Sequence, residues 1–104
     1  MMSPRLAQID AMLADEPNDP ELRYMRAMEL ISLGDDAAAA QAFSDLVAIA
    51  PNYPPAYHMG GRTLHRLGRI REAKSLLQQG IPIALGIGNE HAAGEMQGLL
   101  ESLD

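Results

Sequence analysis

Apolar residues along this 104-residue chain recur at spacings of three and four, in blocks divided by Gly and Pro, and that pattern predicts helices. Leu6, Ile9 and Leu13 share one face of a first helix. It opens at Ser3 and Pro4, a capping side chain followed by a residue with no orphan N–H, and it ends between Asp15 and Asn18. A second helix runs from about Pro20 to Leu33, and Gly34 can take the left-handed conformation that terminates it. Asp35 and Asp36 open a third, where carboxylates favour the positive end of the helix dipole; it carries Ala39, Phe43, Leu46 and Val47 and stops at Pro51. A fourth covers about Pro54 to Leu67 and breaks at Gly68, and a fifth starts near Ile70 with Ala73, Leu76 and Leu77 on its apolar side. Pro82 has no N–H for the Gln78 carbonyl and its ring crowds that carbonyl, so the fifth helix is expected to kink or stop between Gly80 and Pro82. Gly86-Ile87-Gly88-Asn89 reads as a turn with Asn89 capping a last helix. That helix places Ala92, Met96, Leu99 and Leu103 on one face and Glu90, Gln97 and Glu101 on the other.

The blocks are not independent. Pro17-Asn18-Asp19-Pro20 returns 34 residues later as Pro51-Asn52-Tyr53-Pro54. Met25 returns as Met59, Leu30 as Leu64, Leu33-Gly34 as Leu67-Gly68, and Ala39 as Ala73. A helical pattern repeating at this period marks a stack of helix pairs, in which each pair buries an apolar face that it cannot cover alone. The expected fold is therefore all-α, a right-handed helix-pair solenoid of about six helices in one domain.

Composition agrees with helix. The apolar residues are mainly Ala, Leu, Ile and Met, with single Val47 and Thr63, so strand formers are scarce. The absence of Cys removes disulfides, thiolate zinc sites and a Cys nucleophile. The start, Met1 to Arg5, leads into an amphipathic stretch, with no sign of a signal peptide, and no segment approaches the roughly 20 apolar residues of a membrane span. A cytoplasmic location is expected. The net charge of -6 is unevenly spread: residues 1 to 53 sum to -6, residues 54 to 88 to +4, and residues 89 to 104 to -4. The overall sign disfavours nucleic acid, although the middle of the chain is locally basic.

The residues resemble the tetratricopeptide repeat family, whose unit is a 34-residue helix–turn–helix. Ala39, Phe43 and Pro51 match the second-helix half of its signature, and Tyr57, Gly60-Gly61, Leu64, Gly68, Ala73 and Leu77 match the following unit. The resemblance divides the chain into a leading half repeat (4–19), two repeats (20–53 and 54–87) and a capping helix (88–104). Departures are Arg23 and Arg26 in place of an aromatic and a Leu, Leu85 in place of the closing Pro, and Leu46 and Gly80 in place of a small Ala.

The resemblance implies a non-catalytic scaffold that binds a peptide or helix of another protein in a groove lined by the first helix of each repeat. Carried onto this chain, the groove falls on Tyr24, Met28 and Ile31 and on His58, Arg62, His65 and Arg66. His58, Arg62 and Arg66 are successive i, i+4 neighbours and His65 lies three after Arg62, so they form a cationic stripe on one helix face. Such a stripe suits an acidic or amphipathic segment, with the apolar residues as its anchor. The alternative for the stripe is a solvated helix face with no ligand. The chaperone-tail clamp of this family is not supported, because Tyr24, Met28 and Met59 stand where its Lys and Asn would. No metal is expected: His58 and His65 are seven residues apart with Arg62 between them, and His91 has no complete ligand set. No cofactor or catalytic group is expected either, since Ser44 and Ser75 lack an adjacent base and Gly86-Ile87-Gly88 lacks the strand of a nucleotide loop. The alternative reading is structural: a homodimer or larger self-assembly formed through the solenoid ends.

Overall fold

The computed structural model describes residues 3–103; Met1, Met2 and Asp104, which enter the sequence reading at the chain start and in the charge sums, lie outside the described residues. The described residues form six helices: α1 Pro4–Asp15, α2 Pro20–Ser32, α3 Asp36–Ile49, α4 Pro54–Arg66, α5 Ile70–Gly86 and α6 Glu90–Ser102. Each packs on the next, and α4 also touches α6 directly, so the chain is an all-α helical solenoid. Its extents are 37 × 29 × 19 Å.

Local chemistry sets the helix starts. Ser3, Asp19, Asp35 and Asn89 each accept a hydrogen bond from the backbone N–H three residues on, at 3.0–3.1 Å. The helix ends after α2, α4 and α5 share one device. Gly34, Gly68 and Gly88 have φ of 80°, 77° and 79°. The residue after each glycine donates to a carbonyl five positions back: Asp35 to Leu30, Arg69 to Leu64, and Asn89 to Ala84. The turn from α5 to α6 is thus the turn that joins helices within a repeat, not the Pro-flanked turn that joins successive repeats.

Here the fifth helix departs from expectation. α5 does not stop before Pro82; it runs unbroken to Gly86. Pro82 and Gln78 are both exposed, so the carbonyl that Pro82 leaves unpaired faces solvent, while Leu77, Gly80 and Ala84 are buried on the opposite side. Packing on the buried side carries the helix through a local penalty on the wet side.

Two contiguous clusters make the core. One gathers Ala27, Leu30, Ala39, Phe43, Leu46 and Ala56, and the other Ala40, Tyr57, Leu64, Ala73, Leu77, Ala84, Ala93, Met96 and Leu103. Glycine sets the spacing in the second. A methyl group on Gly60 would meet Leu76 and Phe43, and one on Gly61 would meet Leu77, so α3 and α5 both approach α4 closely. α1 is held more loosely, with Ile9 its only buried residue. Arg26, the counterpart of Gly60 one repeat earlier, reaches α1 through Asp10 at 2.8 Å.

The other Arg departure also has a structural role. Tyr57 donates its hydroxyl to the Pro51 carbonyl at 2.7 Å, closing the turn before α4. Arg23, one period earlier, donates Nε–H to the Pro17 carbonyl, six residues upstream in both cases. A guanidinium therefore replaces the aromatic hydroxyl as the donor that pins the turn.

Candidate functional site

The alternate helices α2, α4 and α6 converge on one cleft of about 240 Å³, lined by Tyr24 from α2, by Pro54, Pro55, His58 and Met59 from α4, and by Asn89, His91, Ala92 and Glu95. Pro54 and Pro55 sit there because a helix tolerates Pro only in its first turn, which brings that rigid turn to the mouth of the cleft. Tyr24 is held by ring contacts with Phe43 and Tyr53, at centroid separations of 5.9 and 5.8 Å. Burial pushes its phenol up from the ordinary value, so it stays protonated at neutral pH.

Tyr24 also lines a second, neighbouring hollow with Arg5, Met25, Met28, Glu29 and Ser32, which makes the two depressions one strip across the α2 surface. The far side of that strip is closed electrostatically. Glu29 accepts from the Ser3 hydroxyl at 2.9 Å and faces Arg5 Nε at 3.6 Å.

The residues singled out in the sequence separate in the structure. Tyr24, Met28 and His58 lie along the strip, and Ile31 is half-buried against the core cluster beneath it. Arg62 and His65 are exposed on α4 and line neither depression. Arg66 turns away to α3, with Nε 3.2 Å from Asp36 Oδ2 and Nη2 3.3 Å from Asp36 Oδ1. Arg69 likewise pairs with Glu72. The basic middle of the chain is therefore partly neutralised from within. Among the described residues Arg62 makes no ion pair.

Sequence reasoning missed the contribution of α6. Glu95 lies in the cleft, half exposed, with the His91 imidazole 3.3 Å away. The available signal was the apolar stripe Ala92, Met96, Leu99 and Leu103, which settles the buried side of the helix and leaves His91 and Glu95 on its flank. What hid it was the assumption that the last helix only covers the end of the stack.

His58 is where these groups meet. Its pKa is lowered chiefly by burial; Glu95 opposes the shift and Arg62 adds to it. A further cleft of about 230 Å³ lies between α3 and α5, floored by Leu64 and Leu76 and walled by Gln41, Ser44, Ser75 and Gln79. Among the described residues, no three His, Asp or Glu side chains are placed to hold a metal ion, and no helix is long and apolar enough to cross a membrane.

The family profile described as tetratricopeptide repeat matches residues 20–53, the span of α2, α3 and the turn after them. A tetratricopeptide repeat domain protein from Salinibacter ruber, solved in solution, is 30% identical, with 83% of this chain and 87% of that chain covered and a TM-score of 0.78. A crystal structure of a tetratricopeptide repeat domain protein from the same organism gives 30% identity, coverage of 81% and 93%, and a TM-score of 0.76. A solution structure of a Bordetella parapertussis protein, 23% identical, covers 97% of this chain and 88% of its own with a TM-score of 0.80, a likeness of fold alone. No curated protein matches the chain.

Proposed function

The chain belongs to the tetratricopeptide repeat family, and from that premise we propose that it is a protein-interaction module whose inner surface, built by α2, α4 and α6, receives a peptide or helical segment of a partner protein. Folds of this family mediate protein–protein interaction and are generally non-enzymatic. One observation carries the reading: three helices from different parts of the chain line a single cleft with apolar walls at Tyr24, Pro55 and Met59. Arg62, one helical turn beyond His58, is an exposed cation without an internal partner among the described residues, and it lies on the helix that lines the cleft.

In this reading Tyr24, Met28 and Met59 pack against apolar surface of the partner segment, and Arg62 and His65 meet an acidic group next to it. Arg66 contributes by holding α4 to α3 through Asp36, not by contacting the ligand. Self-association through the solenoid ends is the weaker reading, because the internal pairs of Arg66 and Arg69 remove two cations from the basic surface that would have met an acidic neighbour.

The test is a comparison of Arg62→Glu with Arg71→Glu, an equal charge reversal at another exposed residue, on α5. Binding of short acidic peptides is read by fluorescence anisotropy. Arg62→Glu should weaken binding about ten-fold or more while Arg71→Glu leaves it near wild type. Equal effects from the two would refute the assignment of the surface.

A further inference from the structure

Resting on the inner-surface reading, we infer that the cleft between α2, α4 and α6 takes a basic side chain of the partner, Lys or Arg, held at Glu95, while the partner's acidic group lies at Arg62, one helical turn beyond His58 on α4. The bound segment would therefore carry both charges, not acids alone.

Glu95 lines the cleft and is half exposed, and among the described residues its only ion-pair partner is His91, whose imidazole is 86% exposed and carries charge only when protonated. A carboxylate so placed is only partly neutralised. Of the remaining walls, Tyr24, Pro54, Pro55, Met59 and Ala92 present largely apolar surface beside the polar His58, Asn89 and His91, and that surface would exclude water from part of the cleft once a ligand is seated. An acidic side chain entering here would meet like charge. A Lys or Arg would lay its methylene stem along Pro55 and Met59 and bring its cationic head to Glu95 beside the Tyr24 ring.

The second charge follows from helix geometry. His58 lies within the cleft and Arg62 one turn along the same helix, so the two neighbour each other but only His58 lines it. The negative end, Glu95 on α6, and the positive end, Arg62 on α4, therefore both neighbour His58, the first within the same cleft and the second one turn along its own helix. A segment that carries both a basic and an acidic side chain can engage the two. Burial disfavours the charged form of His58, which reduces its opposition to the incoming cation.

The experiment is selection from a random displayed peptide library with the intact chain as bait, followed by resynthesis of a retained peptide with its basic residue changed to Ala. Wild type should retain peptides in which Lys or Arg accompanies Asp or Glu. The Ala peptide should bind at least about five-fold more weakly, and that difference should vanish in Glu95→Gln, an isosteric change that removes only the charge. Retained peptides rich in acids, lost on Arg62→Glu but without basic residues, would overturn this inference and leave the inner-surface reading standing. Failure to retain any peptide sensitive to Arg62→Glu would overturn both.

Discussion

Gly80→Ala and Gly94→Ala make the same chemical change inside a helix and should move stability in opposite directions. Gly80 lies in α5 where Tyr57 and Met96 close over it. An added Cβ would fall on the Tyr57 Cβ, 2.8 Å from its Cγ and 2.7 Å from Met96 Sδ. Tyr57 cannot retreat cheaply, because it is 3% exposed and its hydroxyl is bonded to the Pro51 carbonyl. Overpacking at a rigid contact of this kind costs up to about 3 kcal/mol. The better helix propensity of Ala returns about 1 kcal/mol, for a net loss of about 2 kcal/mol. In α6, Gly94 has no neighbour within 4 Å of a notional Cβ, so only the propensity gain remains, roughly 0.5–1 kcal/mol. Urea and thermal unfolding followed by circular dichroism read both. For a domain of this size about 2 kcal/mol lowers Tm by roughly 8 °C, and the Gly94 variant should melt a few degrees above wild type. A Gly80→Ala protein as stable as wild type would refute the close approach of α4, α5 and α6 on which the cleft depends.

Other outcomes follow from the same geometry. Tyr57→Phe leaves the Pro51 carbonyl without its hydroxyl donor and should destabilise by about 1 kcal/mol in urea titration. Arg66→Ala removes a two-pronged but largely exposed pair with Asp36; its cost should be about 0.5–1 kcal/mol and should shrink further in high salt, measured by the same titration. His58 makes stability depend on pH in a defined direction. Its folded pKa lies below the unfolded value, so its contribution is whole above the ordinary His range and is lost as pH falls through that value toward the folded one. His58→Gln should therefore flatten the decline of the urea midpoint between pH 7.5 and 5.5, and parallel profiles for the two proteins would contradict the assignment.

Much of this architecture is readable from residue types because local signals and packing agree along most of the chain. Ser3, Asp19, Asp35 and Asn89 cap helices, and Gly34, Gly68 and Gly88 supply positive φ, so starts and stops follow from short-range chemistry. Pro82 misleads for an equally physical reason. Its cost is local, whereas the burial of Leu77, Gly80 and Ala84 that outweighs it depends on helices brought up by the fold. The site is less legible than the fold. Helical spacing alone places His58, Arg62 and Arg66 on one face, but rotamer and neighbour send Arg66 to Asp36 on α3. Glu95 reaches the cleft only because α5 runs on to Gly86 and the glycine turn there returns α6 against α4.

The central claim is that ligands occupy the face of α2, α4 and α6. The most direct test is NMR chemical-shift mapping of the isotopically labelled chain titrated with a peptide from the library selection. The account predicts shifts concentrated at Tyr24, His58, Met59, Arg62 and Glu95. Shifts concentrated instead at Ser44, Ser75 and Gln79, in the cleft between α3 and α5, would contradict it.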